Sequence, residues 1–122
     1  MEFFIRSVSL KRKKGTNQFC VPCVICGKNS KNRISIKIKY NHKIQTKSVC
    51  LSEECLRKAF NITGVVKAVK KFKGVRDKGL RCNKCLGFMH KGIVFMVNKE
   101  SSWRINNFKQ GVCYFCLKRI FT

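Results

Sequence analysis

The chain has 122 residues, of which 28 are Lys or Arg, five are Asp or Glu and nine are Cys. That length holds one domain, or two very small ones sharing a surface, and no apolar run approaches the roughly twenty residues of a membrane span. A formal charge of +23 is self-repelling without a polyanionic partner; nucleic acid is the usual one, DNA ahead of RNA here, and neither a membrane nor a small-molecule substrate is expected.

Met1 to Leu10 carries Glu2 and Arg6 among its apolar residues, so no signal-peptide core is read there. Together with an odd number of cysteines in close pairs, this argues for metal in a reducing compartment (nucleus or cytoplasm) over a secreted disulfide framework. Residues 3 to 10 read as a strand. Lys11, Arg12, Lys13 and Lys14 follow, a basic run that serves as a solvated turn, a phosphate contact or an import signal.

Cys20, Cys23 and Cys26 stand three apart, followed by Gly27. A tetrahedral site takes two ligands from such a segment. A glycine just after the second cysteine suits a knuckle whose next residue turns to positive φ. Cys23 and Cys26 are therefore the expected ligands and Cys20 the spare, with displacement of Cys23 by Cys20 as the alternative. Ile34, Ile36 and Ile38 alternate with Ser35, Lys37 and Lys39, and Asn41-His42 supplies the turn of a hairpin. His42 reads as an exposed turn residue. Cys50 then precedes a helix capped by Ser52, with Glu53 and Glu54 in its first turn beside Cys55.

A knuckle, a hairpin and a helix that brings the last two ligands form the treble-clef arrangement. On Cys23, Cys26, Cys50, Ser52 and Cys55 the segment resembles the FCS or MYM-type zinc modules, of the kind carried by small transcription factors of large DNA viruses. Val49 stands where those modules have an aromatic residue, and Leu51 is an extra residue between Cys50 and Ser52. The match covers under a third of the chain. The resemblance implies nucleic-acid or protein binding in transcription, in a host cell or virion, and no catalysis.

Residues 61 to 73 read as a second helix, capped by Thr63, with Val65, Val69 and Phe72 at helical spacing. Lys67, Lys70, Lys71 and Lys73 fall on its other side, and Arg76 lies in the linker beyond. Cys82-x-x-Cys85, a strand at 93–97, a second strand from Trp103 and Cys113-x-x-Cys116 repeat the plan. The second unit is a treble clef or a zinc ribbon, according to whether Cys113 to Phe121 is helical. His90 reads as a surface residue.

The fold class expected is thus small, metal-stabilised α+β: two modules, each knuckle, hairpin and short helix, joined by a basic helix. Its boundaries are 1–18 for the N-terminal strand and basic turn, 19–61 for the first module, 62–80 for the basic helix and linker, and 81–122 for the second module. Eight thiolates, Cys23, Cys26, Cys50, Cys55, Cys82, Cys85, Cys113 and Cys116, would hold two structural Zn²⁺ and lower the charge from +23 by four, to +19. Saturated sites leave no open coordination position, and two separated histidines offer no acid–base pair, so no enzyme is expected. Basic contacts are expected from Lys11, Arg12, Lys13, Lys14, Lys37, Lys39, Lys67, Lys70, Lys71, Lys73, Arg76 and Arg104. Trp103 and Tyr114 are candidates for base stacking. The excess of Lys over Arg favours phosphate contact over base reading. The leading function is a transcription factor or regulator. The alternatives are a zinc adaptor subunit of a polymerase or ribonucleoprotein assembly, acting by protein contact, and an RNA-binding protein of ribosomal type.

Overall fold

The computed structural model of the chain describes residues 3–12, 21–74, 80–101 and 104–121, and of 99–101 and 104–107 the backbone alone. Lys13, Lys14, Cys20, Arg76, Trp103 and the side chain of Arg104 lie outside the described residues. The elements are β1 (Phe3–Lys11), β2 (Arg33–Tyr40), β3 (Lys43–Cys50) and α1 (Glu53–Phe60), then β4 (Val65–Lys73), β5 (Lys91–Ser101), β6 (Arg104–Cys113) and α2 (Tyr114–Phe121). They form two antiparallel three-stranded sheets, β1-β2-β3 and β4-β5-β6.

The first hairpin forms as its sequence dictates. Tyr40 pairs with Lys43, and Asn41 and His42 between them have φ of 51° and 65°. Two left-handed residues in a two-residue loop make the turn that matches strand twist. Ser52 caps α1 by accepting a hydrogen bond from the Cys55 N–H at 3.3 Å. Asn61, in the left-handed conformation, ends it by donating its N–H to the Arg57 carbonyl. Glu53 and Glu54 occupy the first turn, where the helix dipole favours acids.

The expected basic helix within 62–80 is instead strand β4. Its register against β5 shifts between Val66 and Ala68, so Lys67 is the extra residue of a bulge. A bulge puts two residues opposite one and sets Val66 and Val69 three apart although both are buried. That spacing imitates a helix, while β-branched Val65, Val66 and Val69 favour the strand. Thr63 caps nothing; its N–H donates to Gln110 Oε1 at 3.4 Å.

β1 carries the same bulge, between Ile5 and Ser7. Ile5-Arg6-Ser7-Val8 therefore matches Val66-Lys67-Ala68-Val69, each with an apolar residue, a basic bulge, a small residue and a valine. Each repeat is a strand, a cysteine turn, a hairpin and a helix, and β4 opens the second repeat.

Neither repeat encloses a core of its own. Ile34, Ile36, Ile38, Leu56, Phe60 and Ile62 join Val66, Ile93, Phe95, Val97, Leu117 and Phe121 in one buried cluster. Phe60 sits at the seam, its ring centroid 5.0 Å from Phe95 and 6.3 Å from Phe121. Polar groups clasp the same seam. Asn61 Nδ2 donates to the Asn83 carbonyl (3.0 Å), and Asn83 Nδ2 donates to the Asn61 carbonyl (3.2 Å) and to Gln110 Oε1 (2.8 Å). Two clefts of about 280 and 200 Å³ lie where the repeats meet. Arg12, Asn32, Leu51 and Val66 of the first cleft correspond through the repeat to Lys73, Lys91, Tyr114 and Ile5 of the second.

Gly92 is required by close approach, because a Cβ there would lie 2.1 Å from the Val112 carbonyl oxygen and 2.9 Å from Cys113 Cα. At Gly27 a Cβ meets nothing within 4 Å, but φ is +75°. Gly92→Ala is expected to destabilise the metal-loaded chain by about 3 kcal/mol, and Gly27→Ala by about 1 kcal/mol. Urea denaturation midpoints test this; equal shifts for the two would contradict the packing described.

Candidate metal centres

Two groups of sulfurs assemble, Cys23, Cys26, Cys50 and Cys55 in the first repeat and Cys82, Cys85, Cys113 and Cys116 in the second, each with all four Sγ atoms within 4.8 Å of one another. The elements that place them are the same in both. A tight turn carries the first pair. The Cys23 carbonyl accepts from the Gly27 N–H at 2.8 Å and the Cys82 carbonyl from the Leu86 N–H at 2.9 Å. The third ligand is the last residue of a hairpin strand, Cys50 of β3 or Cys113 of β6. The fourth lies in the first turn of α1 or α2.

Cys23 Sγ accepts from the N–H groups of Ile25 and Cys50, both at 3.4 Å. Cys82 Sγ accepts from Lys84 and Cys113, also at 3.4 Å. Each of these sulfurs thus ties its own turn to the strand that brings the third ligand.

Sulfur separations test whether an ion fits. Four sulfurs about 2.3 Å from a tetrahedral ion lie about 3.8 Å from one another. Cys26–Cys50 is 3.8 Å, and Cys82–Cys116 and Cys85–Cys113 are both 3.7 Å. A disulfide would need about 2.05 Å. The two clusters therefore have metal-binding geometry, filled on all four sides by cysteine. His42 and His90 belong to neither group.

Burial raises the Cys50 thiol, but hydrogen bonds from the Ser52 hydroxyl and N–H, and from Cys55 and Cys26, outweigh it and bring the group down to about 7. Cys82 is likewise raised by burial yet brought down to about 7 by the N–H groups of Cys113, Cys85 and Lys84. Burial pushes Cys55 up to about 12 and also raises Cys113 and Cys116. Each cluster thus joins a thiol held below its ordinary range, Cys50 or Cys82, to thiols held above it, Cys55 in the first and Cys113 and Cys116 in the second.

The expected basic contacts are spread over both sheets. Register places Lys11, Lys37 and Lys39 on one face of the first sheet. Lys67, Lys70, Lys71 and Lys73 lie along the edge strand β4. Two of the cations are engaged within the chain, Arg12 by donating Nη2 to the Val66 carbonyl and Lys71 by donating Nζ to the Arg6 carbonyl at 3.0 Å. Tyr114 is part of the seam, not a free platform. Its hydroxyl accepts from the Ile5 N–H at 3.0 Å and its ring meets Phe3 edge-on at 5.6 Å. Sequence reasoning passed over its neighbour Phe115, which is exposed, and also Leu86 and Phe88. Their adjacency to Cys85 and Cys116 was the available signal. No helix among the described residues is long and apolar enough to cross a membrane.

Compared with family models, curated proteins and solved structures, the chain matches none.

Ligand thiols must lose their protons to bind metal. Loading at pH 7 is therefore expected to release protons, among them those of Cys55, held up near 12, and of the raised Cys113 and Cys116. Apparent affinity should rise with pH, and acid should expel the metal. Proton release followed with an indicator in weak buffer checks this; loading without release would contradict it. Cys82→Ser should halve the bound metal measured by elemental analysis, leaving the first site filled.

Proposed function

We propose that the chain is a non-enzymatic, two-zinc protein that binds nucleic acid and acts in transcription. The observation that carries this reading is the joining of a +23 chain to two tetrathiolate clusters that brace a small shared core. A tetrahedral four-sulfur site selects zinc or iron. Zinc is favoured because both clusters cross-link a turn, a strand end and a helix, the task of a structural ion. The order turn, hairpin, helix in both repeats supports the treble clef. It disfavours the ribbon for the second, whose Tyr114–Phe121 is helical. A four-thiolate shell leaves no position for a reacting water, which supports a binding role. The resemblance at Cys23, Cys26, Cys50, Ser52 and Cys55 supports transcription as the setting and DNA ahead of RNA as the polymer.

Lysines distributed over two sheets suit phosphate contact from several sides. Such binding releases counterions and weakens steeply with salt. Fluorescence anisotropy with duplex DNA, single-stranded DNA and RNA is expected to give micromolar or tighter binding at 50 mM salt and a loss of about a hundredfold or more by 200 mM. Absence of binding to all three polymers at low salt would sink the nucleic-acid reading. Two equivalents of iron in place of zinc would overturn the metal assignment alone.

A further inference from the structure

The two repeats supply a comparison inside one molecule. The three most exposed large apolar side chains among the described residues are Leu86 (67%), Phe115 (65%) and Phe88 (58%). All three border the second cluster. Leu86 follows Cys85, Phe115 precedes Cys116, and Phe88 bridges to Arg81 beside Cys82. At the corresponding turn positions the first repeat has Gly27 and Asn29, and its helix opens on Ser52, Glu53 and Glu54. The first cluster achieves the same sulfur geometry with none of these apolar groups, so the metal site does not require them.

Leu86 adds to this. It holds φ of 65°, where a side chain other than glycine's costs about 1 kcal/mol. Gly27 meets the same demand without that cost, at φ 75°. With two-thirds of its surface in solvent, the Leu86 side chain gains little from burial to offset that cost.

The charge around the patch narrows its occupant. Arg81 Cζ lies 4.5 Å from the Phe88 ring centroid and Arg119 Cζ 5.8 Å from that of Phe115. Lys84 and Lys118 flank them, and α2 has no acid in its first turn. Glu100 sits at the far end of the hairpin from Cys113. The thiolates alone do not demand this ring of cations, because the first cluster has Glu53 and Glu54 beside it. Exposed rings beside guanidinium groups, on a polycation, match unpaired bases joined by phosphates. Bases stack on any aromatic face while the cations track the backbone.

We propose that the rim of the second metal centre, Phe88 and Phe115 with Leu86, Arg81 and Arg119, is a stacking platform for unpaired bases of a single-stranded nucleic acid. This rests on the nucleic-acid reading above and gives it a place and a strand preference.

The test uses the full metal-loaded chain and four oligonucleotides of one sequence: single-stranded DNA, single-stranded RNA and the duplex of each. The single strands also carry 2-aminopurine, whose emission reports stacking. Wild type is expected to favour a single strand, DNA or RNA, over its duplex and to quench the 2-aminopurine. Phe88→Ala and Phe115→Ala should each weaken single-strand binding on the order of tenfold and relieve quenching, with duplex binding unchanged. Phe88→Tyr and Phe115→Tyr should retain it. Metal content and melting, measured on every variant, separate loss of fold from loss of the platform. If wild type binds single strand and duplex alike and the alanine variants match it, the platform is disproved while nucleic-acid binding stands. If no oligonucleotide binds, both fail. Self-association of wild type that the alanine variants lose would assign the rim to a second copy and overturn the proposal.

Discussion

The fold depends on one buried sulfur in each repeat. Cys23 Sγ and Cys82 Sγ each accept two backbone N–H groups, one from the cysteine's own turn and one from the strand end that carries the third ligand. These donors suit a thiolate far better than a thiol, since hydrogen bonds to a charged acceptor are the stronger ones. They therefore hold the turn against the hairpin in the geometry a cation needs. The helix follows, because its first turn must deliver the fourth sulfur. Residues distant in sequence are thereby fixed around a point, which a repeat of this size cannot achieve by burying apolar surface.

What the sulfurs begin, the seam completes. Phe60 belongs to the first repeat by sequence, yet its ring packs on Phe95 and Phe121 of the second. Tyr114 reaches the other way, to Ile5 and Phe3. Each repeat buries its apolar sheet face against its partner, so the duplication supplies a core that neither copy has alone. The edge strands β1 and β4 meet at this seam, where Lys71 donates to the Arg6 carbonyl and Arg12 to the Val66 carbonyl. Long cations along edge strands also discourage pairing with another chain.

The ligand pairs, the Asn41-His42 turn and the Ser52 cap were legible in the sequence because each is local chemistry. Two cysteines three apart, two residues at positive φ and a hydroxyl before a helix act within one turn of chain. β4 was misread for an equally local reason. One bulge converts a period of two into a spacing of three, and periodicity alone cannot tell that from a helix. The match between Ile5-Arg6-Ser7-Val8 and Val66-Lys67-Ala68-Val69 is the sequence signal for the strand, since β1 and β4 carry the same bulge. The burial of Arg33, whose guanidinium donates to Ser35 Oγ and the Ser30 carbonyl, was not legible, because its partners form only when the strand and the preceding loop fold together. Gly92 and Gly111 were equally silent. Their role is to admit Met89 against the backbone of β5 and β6.

Duplication also separates what the fold needs from what it carries. What the two clusters share serves the metal: the turn hydrogen bonds, the N–H groups on one sulfur and the ligand in the first helical turn. Whatever differs is free to serve something else. Around the first cluster the difference is acid, Glu53 and Glu54 on an exposed helix start, with Glu54 paired to Lys58 at 2.9 Å. Around the second it is Arg81 on Phe88 and Arg119 on Phe115. Lysine dominates the strands, and a flexible ammonium attracts phosphate without fixing its geometry. Arginine paired with an aromatic ring offers a planar surface as well as a charge. The lysine-rich sheets thus supply long-range attraction common to any polyanion. The second centre, unlike the first, presents exposed rings beside guanidinium groups, Phe88 by Arg81 and Phe115 by Arg119.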